Sequence, residues 1–371
     1  MVGQGRTADK PAMWMGLKIE LCRFCFFFQR ISVTPQVAAD HDKRAATDLP
    51  CPTTLTSYPG NGMPTNLDDQ RTLKALDEKL RIVLPEDYQD HYEDVQPVSM
   101  GSAALKFAKD GKVAWDAIWG TFCDLAMAGG PPHKGILLQP GSLAEIAAQS
   151  DKYQQVVAEI CRGVTLVTEF PVQPSPIPGW VRVQCESSVM AEWLVRAIVM
   201  ENISARSEAF MLDLPAGPGY RIEKEIKNVI TSIAKTCHYW LYHMGQTQQR
   251  QIEDLFATLA LEAPLIQPAL ADDDSQPANY QALRLRITEA IQQATGLRSA
   301  RNQYTTWLGL ECPNVRAAIW MMRAMVVSNV LSRREGTALF VPVNPTTDPS
   351  GDRVIQSVIR THSFARARNV I

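Results

Sequence analysis

The residues best suited to chemistry lie in one loop of the first half of the chain. The segment Gly129-Gly-Pro-Pro-His-Lys-Gly135 presents His133 beside Lys134. Its successive glycines permit unusual backbone angles, and its two prolines stiffen the loop. A rigid loop with a titratable tip is suited to a general acid, a metal ligand or an anion contact. The simpler alternative is a helix terminator with two exposed polar side chains.

His238 and Glu201 extend this set in the same half of the chain. His238 lies on a polar helix predicted over 221–244, and His243 follows it five residues later. On an α-helix that spacing separates two side chains by about 140°, so we expect no two-histidine metal face. His133 and His238 could instead share a metal across space, with Glu201 as a ligand or base. The alternative is that the helix and Glu201 form a solvated, charged surface.

These residues are set against an internal repeat. Residues 153–215 match residues 280–342 at a constant offset of 127, and about a quarter of the paired residues are identical. Self-similarity at a fixed spacing is typical of a duplicated architecture. Residues kept in both copies indicate the fold, and residues found in one copy are candidates for function. The loop with His133 and the acid Glu201 occur only in the first copy.

Three arginines could hold an anion. Arg196 pairs with Arg323 in the repeat, and Arg206 is repeated likewise. A guanidinium can bind a carboxylate or phosphate through two parallel hydrogen bonds. The alternative, which the repeat favours, is that Arg196 and Arg323 form ion pairs with the repeated acids Glu208 and Glu335.

The hydrophobic periodicity predicts which elements position these residues. In the first copy, strands at Trp180–Cys185 and Glu208–Leu214 flank a helix. The four prolines of Phe170–Pro178 predict an extended connector. Two strands make a marginal sheet, so we expect the copies to share one sheet or to form two sheets packed together. The predicted fold class is α/β (α+β), with two tandem homologous helix plus β-α-β-α units about a pseudo-twofold axis.

Composition restricts the function classes. The chain has 371 residues, of which 46% are hydrophobic and 20% are charged, and its formal net charge is −2. That charge argues against nonspecific binding to nucleic acid or to an anionic membrane. No apolar run reaches the roughly 18 residues that a membrane span needs. The eight cysteines form no disulfide-like framework and indicate reduced thiols in a cytoplasmic protein.

We predict four segments along the chain. Residues 1–62 are a disordered or atypical N-terminal tail, because they show no sustained period. Residues 63–100 form a helical and extended lead-in, with a helix over Leu67–Val83. Residues 101–245 are the first repeat, which carries the Gly-Gly-Pro-Pro-His loop, and residues 246–371 are the second repeat.

Several stretches together resemble proteins described as sirohydrochlorin cobaltochelatase-like: Ser99–Phe107, Trp115–Trp119, Phe122–Gly135, Val199–Ile203, Leu214–Pro218 and Glu223–Ile230. The resemblance covers roughly residues 85–245. It implies two α/β halves with a cleft in which histidines and acids insert a divalent metal, such as cobalt or nickel, into a tetrapyrrole. The Gly-His-Gly-Ser turn of such chelatases does not occur in this chain, so no catalytic residue is carried over.

Two functional interpretations stay open. In the first, the protein is a chelatase (a lyase) or another metal or tetrapyrrole handler. His133 would then be ligand or proton acceptor, Glu201 and His238 would assist, and Arg196 or Lys134 would hold carboxylates. In the second, the protein is a noncatalytic ligand-binding or assembly module, and its pseudo-symmetric surface also allows a homo-oligomer. A small anionic ligand is compatible with both.

Overall fold

Helices and two small antiparallel sheets make up the described part of the protein, which confirms the mixed α/β class. The structure, a computed structural model, describes residues 67–84, 104–119, 136–269, 277–301 and 304–371. The predicted tail over 1–62 lies outside these ranges. Every described residue belongs to one compact unit, Pro64–Ile371. No helix of the described residues is both long and apolar enough to cross a membrane.

Nine labelled helices lie in the described residues: α1 Leu67–Val83, α2 Leu143–Ala148, α3 Ser150–Thr168, α4 Ser188–Met200, α5 Lys227–His238, α6 Gln246–Glu262, α7 Pro277–Thr295, α8 Val315–Val326 and α9 Asp352–Ala367. Residues 115–119 are also helical. The eight strands are β1 Val172–Pro174, β2 Trp180–Gln184, β3 Arg206–Glu208, β4 Met211–Pro215, β5 Arg298–Ser299, β6 Trp307–Glu311, β7 Arg333–Glu335 and β8 Ala338–Pro342. The predicted α1 is confirmed.

The two sheets have the same strand order and matching registers. The first sheet is ordered β1-β2-β4-β3 and the second β5-β6-β8-β7. Trp180 pairs with Pro215 in the first sheet, and Trp307 pairs with Pro342 in the second. In the described residues the repeats therefore form separate sheets, and the alternative of one shared sheet is wrong.

Each sheet has more strands than predicted. The proline-rich connector contains β1, because Val172–Pro174 pairs with β2 along an edge where a missing N–H is tolerated. The single strand expected at Glu208–Leu214 is split by a turn in which Ala209 has φ 51°. Gly336, at the matching position of the second sheet, has φ 57°. These left-handed residues reverse the chain, so β3 and β4 form a hairpin.

Side chains along a strand point alternately to the two faces of the sheet, so one face of each sheet is directed towards the core. Val181, Val183, Leu212 and Leu214 of the first sheet are fully buried, and α3 and α4 pack against this sheet. The other face carries Trp180 and the row Arg182–Asp213–Arg206, whose members lie opposite one another on β2, β4 and β3. This second face positions the polar groups of the candidate site.

The long helix predicted over 221–244 is interrupted at both ends. α5 is regular, but Ile222–Ile226 and Tyr239–His243 are π-helical. A π-turn contains about one more residue than an α-turn, so it changes the angular relation of residues on either side. This difference decides which side chains meet His238.

Candidate functional site

His133 and Lys134 lie outside the described residues, so their predicted chemistry stays a prediction. The same holds for a metal shared between His133 and His238. Within the ranges that the structure describes, no group of three histidine, cysteine, aspartate or glutamate side chains is placed to hold a metal ion. The other predicted site residues lie in the described ranges: His238, Glu201, Arg196, Arg206 and Arg323.

His238 lies at the end of α5 in contact with His243. The two ring centroids are 5.0 Å apart, and the rings are tilted by 56°. The prediction that these side chains lie about 140° apart is wrong, because Tyr239–His243 form a π-turn. In a π-turn, closed by i→i+5 hydrogen bonds, the residue five positions on lies much nearer to the first around the helix axis than it does in an α-turn. Trp119 and Tyr242 also contact the His238 ring, at centroid distances of 5.8 and 5.0 Å.

Glu201 joins the end of α4 to α5. Its Oε2 accepts a hydrogen bond from Ser232 Oγ at 2.5 Å, and its Oε1 accepts one from Lys235 Nζ at 2.8 Å. The side chains of Glu201 and Lys235 are only 11% and 17% exposed, so water screens the pair weakly. Both carboxylate oxygens are thus engaged, and a ligand or base role for Glu201 would require this ion pair to break.

Arg196 is buried where α4 meets the second repeat. Its Nη2 donates to Asn329 Oδ1 at 2.7 Å, its Nη1 donates to the Glu192 carbonyl at 2.8 Å, and the guanidinium lies 4.0 Å from the centre of the Phe256 ring. Burial lowers the pKa of Arg196 to about 10, although Glu192 opposes this shift. These contacts use the guanidinium inside the fold.

The predicted ion pair between Arg196 and Glu208 is wrong. The Glu208 side chain is 74% exposed and lies 3.5 Å from Arg182 instead. In the second repeat, Arg333 is the arginine that pairs with Glu335, at 2.6 Å. Arg323 is half-buried in α8. The repeated acids are therefore engaged by residues of the sheets.

Asn202 and Asn329 connect the two repeats through their side-chain amides. Both have φ 62°, a left-handed conformation that asparagine tolerates better than most residues. Asn202 Oδ1 accepts from Arg333 Nη1 at 3.2 Å, and its Nδ2 donates to the Arg334 carbonyl at 2.8 Å. Asn329 Nδ2 donates to the Ala263 carbonyl at 2.8 Å. The sequence alone predicted no role for these residues, although an asparagine kept in both copies just after a helix was the available signal.

Arg333 shows how a sheet arginine is neutralised within the protein. It is fully buried, and its guanidinium lies 4.0 Å from the centre of the Phe340 ring and 4.4 Å from that of Tyr304. Its partner Glu335 also accepts hydrogen bonds from the Tyr304 hydroxyl and from the Leu137 amide. The centre of the Trp307 ring also lies 5.2 Å from the guanidinium, so the positive charge meets one carboxylate and three aromatic rings.

Arg206 occupies the matching position on β3 but lacks such partners. It lies opposite Asp213, at the position where Arg333 faces Phe340. Arg182 already holds that carboxylate, at 2.7 and 2.8 Å. Among the described residues, the Arg206 guanidinium has no hydrogen bond or ion pair, and its Nη1 is buried. Burial lowers the pKa of Arg206, and the charges of Asp213 and Glu208 only partly oppose the shift.

A cleft of about 630 Å³ lies beside Arg206, between residues of the two repeats. Trp180 on β2 and Trp307 on β6, which occupy matching positions, both line it. Ser204 and Tyr220 add hydroxyl groups to the lining. The cleft therefore combines aromatic surface with one cationic group, as small-molecule sites commonly do.

Close loop packing forms one wall of this cleft. The Tyr220 hydroxyl donates to the Gln139 carbonyl at 2.6 Å. A Cβ atom at Gly141 would lie 2.8 Å from Pro218 Cδ and 3.0 Å from Gly217 Cα, so only glycine fits there. The wall is thus fixed by contacts within the first repeat.

Two acidic side chains also line the cleft, and both are held by neighbours. Glu145 accepts hydrogen bonds from the Ser142 amide and hydroxyl, which lower the pKa of Glu145. Burial raises the pKa of Glu225, but hydrogen bonds from Arg221 outweigh this effect and leave the pKa lowered. Neither of these acids pairs with Arg206, so the cation that lines the cleft has no acidic partner among them.

The repeated cysteines do not add reactive groups. Cys185 and Cys312 are buried. Burial raises the pKa of each thiol to about 12, with nearby Glu186 and Glu311 acting in the same direction. A thiol with so high a pKa carries almost no thiolate near neutral pH, so it behaves as a small apolar side chain.

Comparison of the chain with protein-family models, with curated proteins and with solved structures gave no match. The functional interpretation therefore depends on the geometry of the described residues. The cleft with Arg206 is the arrangement in which predicted anion chemistry and an open cavity coincide.

Proposed function

We propose that the protein is a noncatalytic module that binds a small anion with an aromatic or apolar part in the cleft between its repeats. The supporting observation is Arg206, which lines the cleft and has a buried Nη1 without a hydrogen-bond partner among the described residues. A buried polar group without a partner costs about 1–3 kcal/mol, so a ligand oxygen recovers that free energy when the Arg206 side chain turns Nη1 towards the cleft on binding. Trp180 and Trp307 line the cleft, and their edges give it an apolar wall beside the anion.

We include in this proposal that the two repeats are tandem homologous units about a pseudo-twofold axis. It is supported by the strand bounds, since β2, β3 and β4 begin 127 residues before β6, β7 and β8. On this arrangement the two tryptophans approach the cleft from equivalent sides. A cytoplasmic location, consistent with the cysteine usage, and a homo-oligomer belong to the proposal as expectations.

The test uses 8-anilinonaphthalene-1-sulfonate, an anionic aromatic dye, with the full chain. We expect one saturable site, seen as dye fluorescence and as quenching of tryptophan fluorescence. Arg206→Gln should weaken binding by about 10- to 150-fold, because a hydrogen bond to a charged group contributes about 1.5–3 kcal/mol. Arg286→Gln is the matched control, since Arg286 is an exposed arginine paired with Asp352 and does not line the cleft. Equal affinity in the wild type and Arg206→Gln would refute the proposal.

The chelatase interpretation stays a second proposal, supported by the sequence resemblance and by the contact between His238 and His243. It predicts that the protein binds cobalt or nickel, and that His133→Ala weakens metal or tetrapyrrole binding. Calorimetric titration with each metal, followed by a porphyrin, tests it. If His133→Ala changes neither binding, His133 has no chelatase role.

A further inference from the structure

A second groove, of about 1000 Å³, lies wholly within the second repeat. It runs past the end of α7 and β5, the end of β6 and the turn between β7 and β8, and one side is formed by α9. We call it the basic groove, after Arg298, Arg301, Arg366 and His362, all of which line it. None of these residues lines the cleft beside Arg206.

The arginines of the basic groove carry charge that the described residues do not neutralise. Arg298, Arg301 and Arg366 are exposed, and no ion pair joins any of them to a described carboxylate. Two acids line the same groove. Glu335 is paired with Arg333, whereas Glu311 lies opposite Arg298 on the neighbouring strand and accepts a hydrogen bond from the Thr337 hydroxyl. Three arginines therefore face one remaining carboxylate, and the groove has an excess of positive charge.

This charge is specific to the second repeat. At the offset of 127, Arg298 and Arg301 correspond to Pro171 and Pro174 in the first repeat. His362 directly follows the matched helix residues and corresponds to Cys237. The first repeat forms its matching sheet without basic residues at these positions, so the shared fold does not require them.

Neutral polar groups also line the basic groove. His362 is only 8% exposed, and its pKa is lowered by burial and then by the charge of Arg366. Cys312 lines the groove as a buried thiol. Ser299 and Thr337 bring hydroxyl groups to the lining. An anion in this groove would meet guanidinium groups together with these neutral polar groups.

We propose that the basic groove binds a phosphate group, or a run of phosphates, that carries at least two negative charges. A guanidinium can donate two parallel hydrogen bonds to phosphate oxygens. Three guanidiniums carry more positive charge than a ligand with a single carboxylate would neutralise. The cavity volume lies at the upper end of the range for small-molecule sites, so it can accept an organic phosphate as well as an inorganic one. This site is independent of the cleft beside Arg206.

The experiment is calorimetric titration of the full chain with inorganic pyrophosphate and with ATP, at low and moderate salt. We expect both to bind, with affinity that falls as salt rises. Equal affinities assign the site to free phosphate, and tighter binding of ATP assigns it to a phosphate ester. Neutral adenosine should not bind. The absence of binding by pyrophosphate and by ATP at millimolar concentration overturns the proposal.

Substitutions locate the site. The combined Arg298→Gln, Arg301→Gln and Arg366→Gln variant should lose at least about 30-fold in affinity for pyrophosphate, since each charged contact contributes roughly three- to tenfold. These residues are exposed, so the variant should fold, and unchanged binding of the anilinonaphthalene dye confirms that the cleft is intact. Arg286→Gln should bind pyrophosphate as the wild type does. If the triple variant keeps its affinity, or Arg286→Gln loses as much, the groove is not the site.

Discussion

Replacing Asn329 with alanine tests whether the buried amides hold the two repeats together. The Asn329 side chain is 5% exposed and makes two hydrogen bonds across the structure. Alanine removes the acceptor for Arg196 Nη2, at about 1.5–3 kcal/mol, and the donor to the Ala263 carbonyl, at about 1 kcal/mol. It also places a non-glycine residue without a polar side chain at φ 62°, at about 1 kcal/mol. The expected loss is therefore about 4 kcal/mol in the free energy of unfolding.

Urea unfolding followed by tryptophan fluorescence measures this loss. With a urea dependence near 3 kcal/mol per molar for a chain of this size, the midpoint should fall by about 1 M at an unchanged slope. Asn329→Gly separates the contributions, because glycine accepts the left-handed conformation and should lose about 1 kcal/mol less than alanine. Asn202→Ala is the matched variant, since Asn202 has the same φ and also two hydrogen bonds. A loss below about 1 kcal/mol in Asn329→Ala, or glycine as costly as alanine, would refute this reasoning.

Three further predictions concern other parts of the fold. Cys185 and Cys312 have thiol pKa values of about 12, so they should resist iodoacetamide at pH 8 in the native protein and react after unfolding. Peptide mass spectrometry measures the labelling of each cysteine. Rapid labelling of the native protein would contradict the prediction. Gly163→Ala should lower the free energy of unfolding by about 1–3 kcal/mol, measured by heat or urea. The new Cβ atom would clash with Ile230 Cδ1 and lie 2.9 Å from Trp115 Cδ1. An unchanged stability would show that α3 and α5 can separate at this point. The pKa of His362 is lowered in the folded protein, so the free energy of unfolding should fall as the pH drops below the unfolded pKa near 6.5. His362→Asn should flatten this pH dependence, measured as urea midpoints from about pH 7.5 to 5. Identical pH profiles for the two proteins would exclude the effect.

Sequence periodicity predicted the regular elements well, because they depend on local patterns. α1 and α4 lie where the sequence predicts helices, and β2 lies where residues alternate after Trp180. β1 was missed because prolines argue against a strand, while an edge position tolerates them. The turn at Ala209 carries no glycine or asparagine, so no local signal marked it.

The candidate site was less predictable, because its properties depend on pairs of residues far apart in the chain. The sequence marked Arg206 as repeated, but only the three-dimensional structure shows that Arg182 takes the carboxylate opposite it. The contact between His238 and His243 depends on a π-turn, which has no recognisable sequence pattern. The charge of the basic groove could be found from sequence, by comparing the repeats for gained arginines as well as for gained histidines.

The amide of Gln267 has a consequence for self-association. Its Oε1 and Nε2 bond the backbone amide and carbonyl of Ser207, on the outer side of edge strand β3, at 3.0 and 3.1 Å. An unpaired strand edge is a template on which a second molecule can add a strand, and ordered aggregates grow in this way. The Gln267 amide has the same donor and acceptor as a peptide group, and it bonds the free edge of β3 at Ser207. On the opposite edge, Pro174 of β1 has no backbone N–H to donate. Both features disfavour the addition of a further strand at the edges of the first sheet.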